Sequence, residues 1–381
     1  MAGIYLHIPF CKQACNYCNF HFTTSLRYKT ELVNALIKEI DLQKDFLQGE
    51  SIATIYFGGG TPSLLTLEEC GAILKKIRQE FNIDDGAEIT LEANPDDITK
   101  EKLVAWKDLG INRLSIGIQS FFDEDLIWMN RAHNAREAID NLQLAITEFN
   151  NISIDLIYGS PLLNDEMWKK NVETAINFNI PHLSCYALTV EEKTHLHKQI
   201  LLNKTTNVDT DTQARQFLLL MQWLKENGYD HYEVSNFAKP GYRSRHNSSY
   251  WQGKKYLGLG PSAHSYDGVI RKWNIANNNN YIKAINSGMM ETETEVLTET
   301  EKLNEYIMIS LRTMEGLDLE KIKSVWGEDK LKTVNERLIR FKENDLVIKE
   351  ANKIKLTEEG MLRADGIAAD LFAYTITSSI L

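Results

Sequence analysis

Three cysteines fall within eight residues, Cys11-Lys-Gln-Ala-Cys15-Asn-Tyr-Cys18, while Cys70 and Cys185 stand alone. Soft thiolates on one short loop favour an iron–sulfur cluster or zinc, and an odd, clustered count argues against disulfides. Three cysteines are too few to close a 4Fe-4S cubane, so one iron would stay open to a small molecule. A structural zinc site would instead close with His21, three residues past Cys18. Spacing alone leaves both open. Packed, unligated thiols rarely cluster this way. Cys70 lies in a helical pattern and Cys185 in an apolar run, so both are expected in the core.

Further chemistry-bearing residues are spread along the first half of the chain. Gly58-Gly59-Gly60-Thr61-Pro62 allows backbone amides to approach a ligand that a side chain would exclude. The Lys and Ser/Thr of a P-loop are missing, which argues against one; a simple chain-reversing turn stays open. Glu92, Gln119, Arg131 and Asp155 each have an ordinary structural explanation. Together they offer carboxylates for ribose hydroxyls, an amide for polar edges and a guanidinium for a carboxylate. Arg245-His246-Asn247-Ser248-Ser249-Tyr250-Trp251 places a histidine beside two aromatic residues. That set could hold haem, with His246 on the iron, or be a packed loop whose histidine bonds to backbone. His264, His7 and His21 are weaker candidates.

These residues need a scaffold, and the pattern supplies one. Short β-rich runs at 4–8, 53–57, 88–93, 113–118, 152–158 and 182–188 alternate with amphipathic helical stretches, the mark of repeated βα units and a parallel sheet. Six such units predict an α/β fold, a partial (β/α)6 barrel. Loops leaving the C-terminal strand ends would carry the site, and the cysteine cluster, the glycine run, Asn94-Pro95 and Gln119-Ser120 all fall there. After about residue 228 an aromatic, glycine-rich stretch reads as strands and loops that close the barrel. The tract NIANNNNY, 274–281, is the expected linker. Helical patterns at about 300–314, 318–325 and 329–343 then precede two short strands and a last helix, a mainly helical, winged-helix-like module. The predicted division is 1–275, a linker at 276–297, and 298–381.

The chain has 381 residues, 43% hydrophobic and 25% charged, enough for a substantial core. A formal net charge of −11 argues against nucleic-acid binding, and the mixed acidic helices of the C-terminal module favour packing over DNA contact. No run approaches the roughly 18 apolar residues of a membrane span, and the N-terminus lacks a secretion signal, so a cytoplasmic location is expected.

The CxxxCxxC spacing with Tyr17 before the last cysteine resembles the signature of radical S-adenosylmethionine (SAM) enzymes. The opening YLHIPFCKQACNYCNFHF is similar to their coproporphyrinogen dehydrogenase-like branch. The similarity covers nearly the whole chain. It implies a 4Fe-4S cluster on Cys11, Cys15 and Cys18. It also implies SAM bound by Tyr5, Gly59, Gly60, Thr61, Glu92, Gln119, Arg131 and Asp155, with the glycine loop on its methionine moiety. In such enzymes a reduced cluster cleaves SAM to methionine and a 5′-deoxyadenosyl radical, which a closed barrel shields.

Two departures weaken a dehydrogenase reading. Those enzymes typically carry a fourth cysteine two residues after the third, where this chain has Phe20. They also carry an N-terminal extension, whereas four residues precede Tyr5 here. The segment from His246 to Trp251 instead resembles the HNxxYW motif of HemW-type haem chaperones, which implies haem contact by His246, Asn247, Tyr250 and Trp251. On that resemblance the expected function is to hold haem and pass it to acceptor haemoproteins, including those of the respiratory chain. Peripheral membrane contact and a homodimer are compatible with it. The alternative is oxygen-independent decarboxylation of coproporphyrinogen III; a structural zinc protein is third.

Overall fold

The computed structural model describes residues 1–373. All six expected strands form: β1 Ala2–Ile8, β2 Ile52–Gly59, β3 Ile83–Ala93, β4 Arg113–Gln119, β5 Ile152–Tyr158 and β6 His182–Ala187. Each pairs in parallel with the next in chain order. Parallel neighbours require long crossovers, and the amphipathic stretches supply them as helices. Helices Leu67–Glu80 and Ala135–Glu148 begin with full capping boxes, Thr66 with Glu69 and Asn134 with Glu137.

Strand alternation sorts the side chains. Ile4, Leu6, Ile8, Ile55 and Phe57 are fully buried in the main core beneath helical residues such as Leu32, Leu36 and Ile73. The intervening positions, Tyr5, His7, Thr54, Tyr56, Glu88, Glu92 and Asp155, take the other face by the two-residue period of a strand. They line the concave side of the partial barrel.

Both edges of the sheet are extended. With β7 Asp230–Glu233, β8 Asn236–Ala238, β9 Tyr256–Leu259, β10 His264–Tyr266, β11 Ile270–Asn274 and β12 Thr292–Val296, the order is β12-β11-β10-β9-β1-β2-β3-β4-β5-β6-β8-β7. The aromatic, glycine-rich stretch thus forms strands as expected, with one addition. Arg245–Trp251 is a short helix, started by Ser244, whose hydroxyl accepts from the Asn247 N–H at 3.2 Å.

The asparagine tract is not a linker. Asn277 caps helix Asn278–Asn286, whose Tyr281, Ala284 and Ile285 are buried, and Thr292–Val296 is the outer strand of the sheet. The asparagines that favour turns here supply an N-cap and a first turn, and the apolar stripe after them fixes a helix.

The C-terminal module follows its expected order. Helices Glu299–Leu311, Leu319–Trp326 and Glu328–Glu343 precede strands Val347–Glu350 and Lys353–Leu356 and helix Ala364–Leu371, and a short strand Leu317–Asp318 makes the sheet three-stranded. It has its own core around Leu303, Ile307, Leu338 and Ile354. The two units meet where Arg312–Met314 pairs along β7, through Val234 N–H to Arg312 C=O at 3.0 Å and Met314 N–H to Tyr232 C=O at 3.1 Å. Among the described residues, no helix is long and apolar enough to cross a membrane.

Candidate functional site

The loop after β1 carries Cys11, Cys15 and Cys18, all half-buried. The glycine turn after β2 lies directly against it. The Gly60 N–H donates to Ile8 C=O at 2.9 Å and the Thr61 N–H to Phe10 C=O at 2.6 Å. A methyl group on Gly60 would lie 2.7 Å from the Phe10 carbonyl oxygen, and one on Gly59, at φ +106°, 2.6 Å from the His7 ring. These two glycines therefore serve close chain approach, with left-handed backbone at Gly59. The Thr61 hydroxyl bonds to the Cys11 sulfur. Burial pushes the Cys11 thiol up to about 11, the Thr61 bond and Arg131 opposing, and burial also raises Cys18. Binding soft metal would have to displace those protons.

Arg131 links this loop to the strand ends. One of its terminal nitrogens donates to the Cys15 sulfur at 3.2 Å, and the other to Asn94 Oδ1 at 2.7 Å and Gly117 C=O at 2.9 Å. Its Nε is buried without a partner. Asn94 in turn donates to the Thr61 hydroxyl at 3.3 Å. Asn94, expected with Pro95 at a strand end of the site but given no binding role there, stands in the same Glu-Ala-Asn-Pro turn as Glu92.

Glu92 accepts from Tyr56 OH at 2.8 Å and from the Gly59 N–H. Burial raises its pKa from 4.5 to about 7; the Asp155 charge adds to the rise, and the Tyr56 and Gly59 bonds and Arg113 oppose it. Asp155, bonded to Ser184, is raised by burial to about 6. Gln119 sits at φ 67°, a left-handed backbone that non-glycine residues adopt only where surrounding structure holds them. Tyr5 OH donates to His7 Nδ1 at 3.2 Å, because His7 Nε2–H donates to His21 C=O at 2.8 Å. A methyl group on Gly58 would meet the Tyr5 and Tyr56 rings and the Glu92 carboxylate at 2.9 to 3.1 Å, and one on Gly117 would meet Gln119 and Arg131. Tyr5, Gly59, Gly60, Thr61, Glu92, Gln119, Arg131 and Asp155 thus surround one mouth, with glycines keeping its floor clear.

A structural zinc would need three gathered thiolates and a closing fourth ligand. Three thiolates on one tetrahedral zinc would lie about 3.8 Å apart. Among the described residues no three His, Cys, Asp or Glu side chains gather closely enough to hold one ion. His21, the fourth ligand a zinc site would use, turns its Nε2 to Asn278 Oδ1 at 2.7 Å.

The HNxxYW residues are not brought to one face. His246 is 1% exposed and sits beneath the mouth, against the N-terminal strand ends. Its Nδ1 bonds to the Thr54 hydroxyl at 2.8 Å and its Nε2 to Tyr250 OH at 2.9 Å, while its ring stacks on Tyr56 at 4.9 Å. Its backbone N–H and that of Arg245 donate to Glu88. Burial lowers its pKa to about 3. In this arrangement neither ring nitrogen is free for iron, because the ring bridges Thr54 and Tyr250. Tyr250 faces the same way. Trp251 lies on another side of the helix, half-buried under the Arg312 guanidinium, and Asn247, one turn before it, is half-buried as well. His264 stacks on Trp273 on an outer strand, away from His246.

A parallel βα barrel with a three-cysteine loop above its first strand and carboxylates on its third and fifth defines the radical SAM class. A family model for the radical SAM superfamily matches residues 5–175, and one for the HemN C-terminal domain matches 297–363. "Heme chaperone HemW" of Lactococcus lactis is 32% identical over 93% of each chain, and that of Bacillus subtilis 31% identical over 95% of this chain and 97% of its own. The chain belongs to the HemW family. Its fold matches coproporphyrinogen III oxidase (HemN) from Escherichia coli with a TM-score of 0.85 at 22% identity, covering 98% of this chain and 90% of that one. The radical SAM family implies a 4Fe-4S cluster and SAM.

Proposed function

We propose that this chain is a haem chaperone that binds a 4Fe-4S cluster, SAM and haem and passes the haem to acceptor haemoproteins, with respiratory-chain proteins among them. The observation that carries this reading is the near end-to-end likeness to relatives named heme chaperone HemW. Phe20, 68% exposed where the dehydrogenases have a fourth cysteine, is consistent with it.

Cys11, Cys15 and Cys18 would hold the cluster, leaving one iron for the amino and carboxylate groups of SAM. A cluster so placed supplies one-electron chemistry at the SAM sulfonium. The remaining residues bind and orient. The Gly59–Thr61 backbone receives the methionine moiety, and ionised Glu92 and Asp155 accept from ribose hydroxyls. Tyr56 holds Glu92 in place, and Arg131 fixes the cysteine loop to the strand ends. The buried inner layer of Thr54, Glu88 and His246 closes the barrel below and keeps water out.

Adding haemin to the purified protein tests this reading. A shifted Soret band saturating at one haem per chain supports it, and an unchanged spectrum refutes it. Anaerobic incubation of reduced protein with coproporphyrinogen III and SAM separates the enzyme alternative, since protoporphyrinogen IX is expected only of a dehydrogenase.

A further inference from the structure

A cavity of about 540 Å³ lies between the barrel's β extension and the C-terminal module, within the ~300–1,000 Å³ range of small-molecule sites. Trp251 and Tyr266 line it from the barrel side, and Tyr306, Lys321, Trp326 and Lys353 from the other. We propose that this cleft is the haem seat, built to take a planar aromatic ring edged with carboxylates. This deepens the haem-chaperone reading and rests on it.

The walls provide flat apolar surface. Tyr306 stacks on Trp326 at 5.4 Å, and Trp251 is fixed by the Arg312 guanidinium 5.4 Å from its ring. Aromatic faces of this kind pack against a porphyrin plane. The cleft also has unspent polar capacity. The indole N–H of Trp326 is buried and has no acceptor. A buried donor left this way costs free energy unless a ligand supplies the acceptor.

Charge points the same way. The carboxylates on the lining are engaged: Glu305 with Arg271, Glu315 with Arg243 at 3.0 Å, and Asp318 as a helix cap accepting from the Glu320 and Lys321 N–H groups. Lys302 pairs with Glu299 at 2.8 Å. Lys321 and Lys353 have no carboxylate partner among the described residues; Lys321 Nζ rests over the Tyr306 ring at 4.2 Å. In a chain of net charge −11, two lysines left over beside aromatic walls make a site for carboxylates.

The lining contains no His, Cys or Met among the described residues, and the hydroxyls of its three tyrosines are engaged, Tyr232 with His182, Tyr266 with the Gly268 carbonyl and Tyr306 with the Asp318 N–H, so the cleft presents the iron no free axial ligand. Recognition by ring and carboxylates alone suits a carrier that must release its cargo. It also separates this seat from His246, whose nitrogens are both occupied elsewhere.

The test is titration of the full-length protein with haemin, followed by Soret absorbance and tryptophan fluorescence, and then competition with metal-free protoporphyrin IX. The double variant Lys321→Glu/Lys353→Glu should weaken haemin binding roughly tenfold. Trp326→Phe, which keeps an aromatic face and removes the orphan donor, should weaken it roughly threefold, both variants being titrated well below their thermal midpoints so that the change reads binding and not folding. Protoporphyrin IX should displace haemin. If wild-type protein saturates with one haem while these variants bind as tightly as it does, the cleft is overturned and the chaperone reading survives. Failure of protoporphyrin IX to compete likewise overturns a seat without iron ligation. If wild-type protein binds no haem, both fall.

Discussion

At the scale of single residues, Glu92 is the most informative. Its carboxyl is raised to about 7 chiefly by burial, against Tyr56 and Gly59 donors that favour the charged form. Ribose hydroxyls prefer the carboxylate, so SAM affinity of the cluster-loaded protein should rise with pH through about 7 and then level off. Glu92→Gln should bind more weakly and lose most of that dependence; calorimetric titration across this range decides. Folding runs the opposite way. Between 4.5 and about 7 the folded chain keeps a proton that the unfolded chain releases, so stability falls as pH rises through that window. Glu92→Gln retains an acceptor for Tyr56 and should therefore gain about 3 kcal/mol at pH 8, and nothing at pH 4, in thermal melts. A melt that drops equally at both pH values would show that Glu92 acts as a structural hydrogen-bonding group only.

At the scale of elements, the turns after β1 and β2 behave as one piece. The atoms nearest a methyl group on Gly60 all belong to the backbone of Ile8 and Phe10, which cannot rotate aside. Gly60→Ala should cost ~1–3 kcal/mol and displace the cysteine loop, read as less iron and sulfide per chain after anaerobic reconstitution. Helix Arg245–Trp251 acts as a plug in the barrel floor. His246→Ala should cost ~2–4 kcal/mol, since it opens a cavity and strands Thr54 and Tyr250, and a thermal melt measures it. Haem affinity measured well below the melt should then be nearly unchanged. Much of this was legible beforehand. Short β-rich runs alternating with helical stretches located all six barrel strands, and Glu92 and Asp155, near C-terminal strand ends, could be assigned to one mouth, whereas Tyr5 joined them only through the family resemblance. What was not legible depended on three-dimensional pairing. No spacing tells that Arg131 reaches Cys15 and Asn94, or that His246 spends its Nδ1 on a strand 192 residues away. The asparagine tract misled because turn propensity is local, whereas packing of Tyr281 and Ile285 decides the helix.

At the scale of the whole molecule, the junction between barrel and C-terminal module turns on Arg312. Its carbonyl closes the β7 pairing, and its guanidinium pairs with Glu233 at 3.7 Å and Asp365 at 2.5 Å while covering Trp251. Glu233 is 3% exposed, and burial raises its pKa; Arg312 and Asn236 are among the groups that oppose this. Removing the guanidinium would leave that carboxylate buried with less compensation, a larger cost than losing the exposed contact to Asp365. Arg312→Met keeps the stem over Trp251 and deletes the charge, so it isolates this effect. It should loosen the junction by ~1–2 kcal/mol, seen as faster hydrogen exchange in 299–371 and at β7 with β1–β6 unchanged. Uniform acceleration through the barrel strands would mean that the two units unfold as one, and no change would mean that backbone pairing along β7 suffices to hold them together. Because Arg312 also fixes a wall of the cleft, haem affinity should fall together with the local protection.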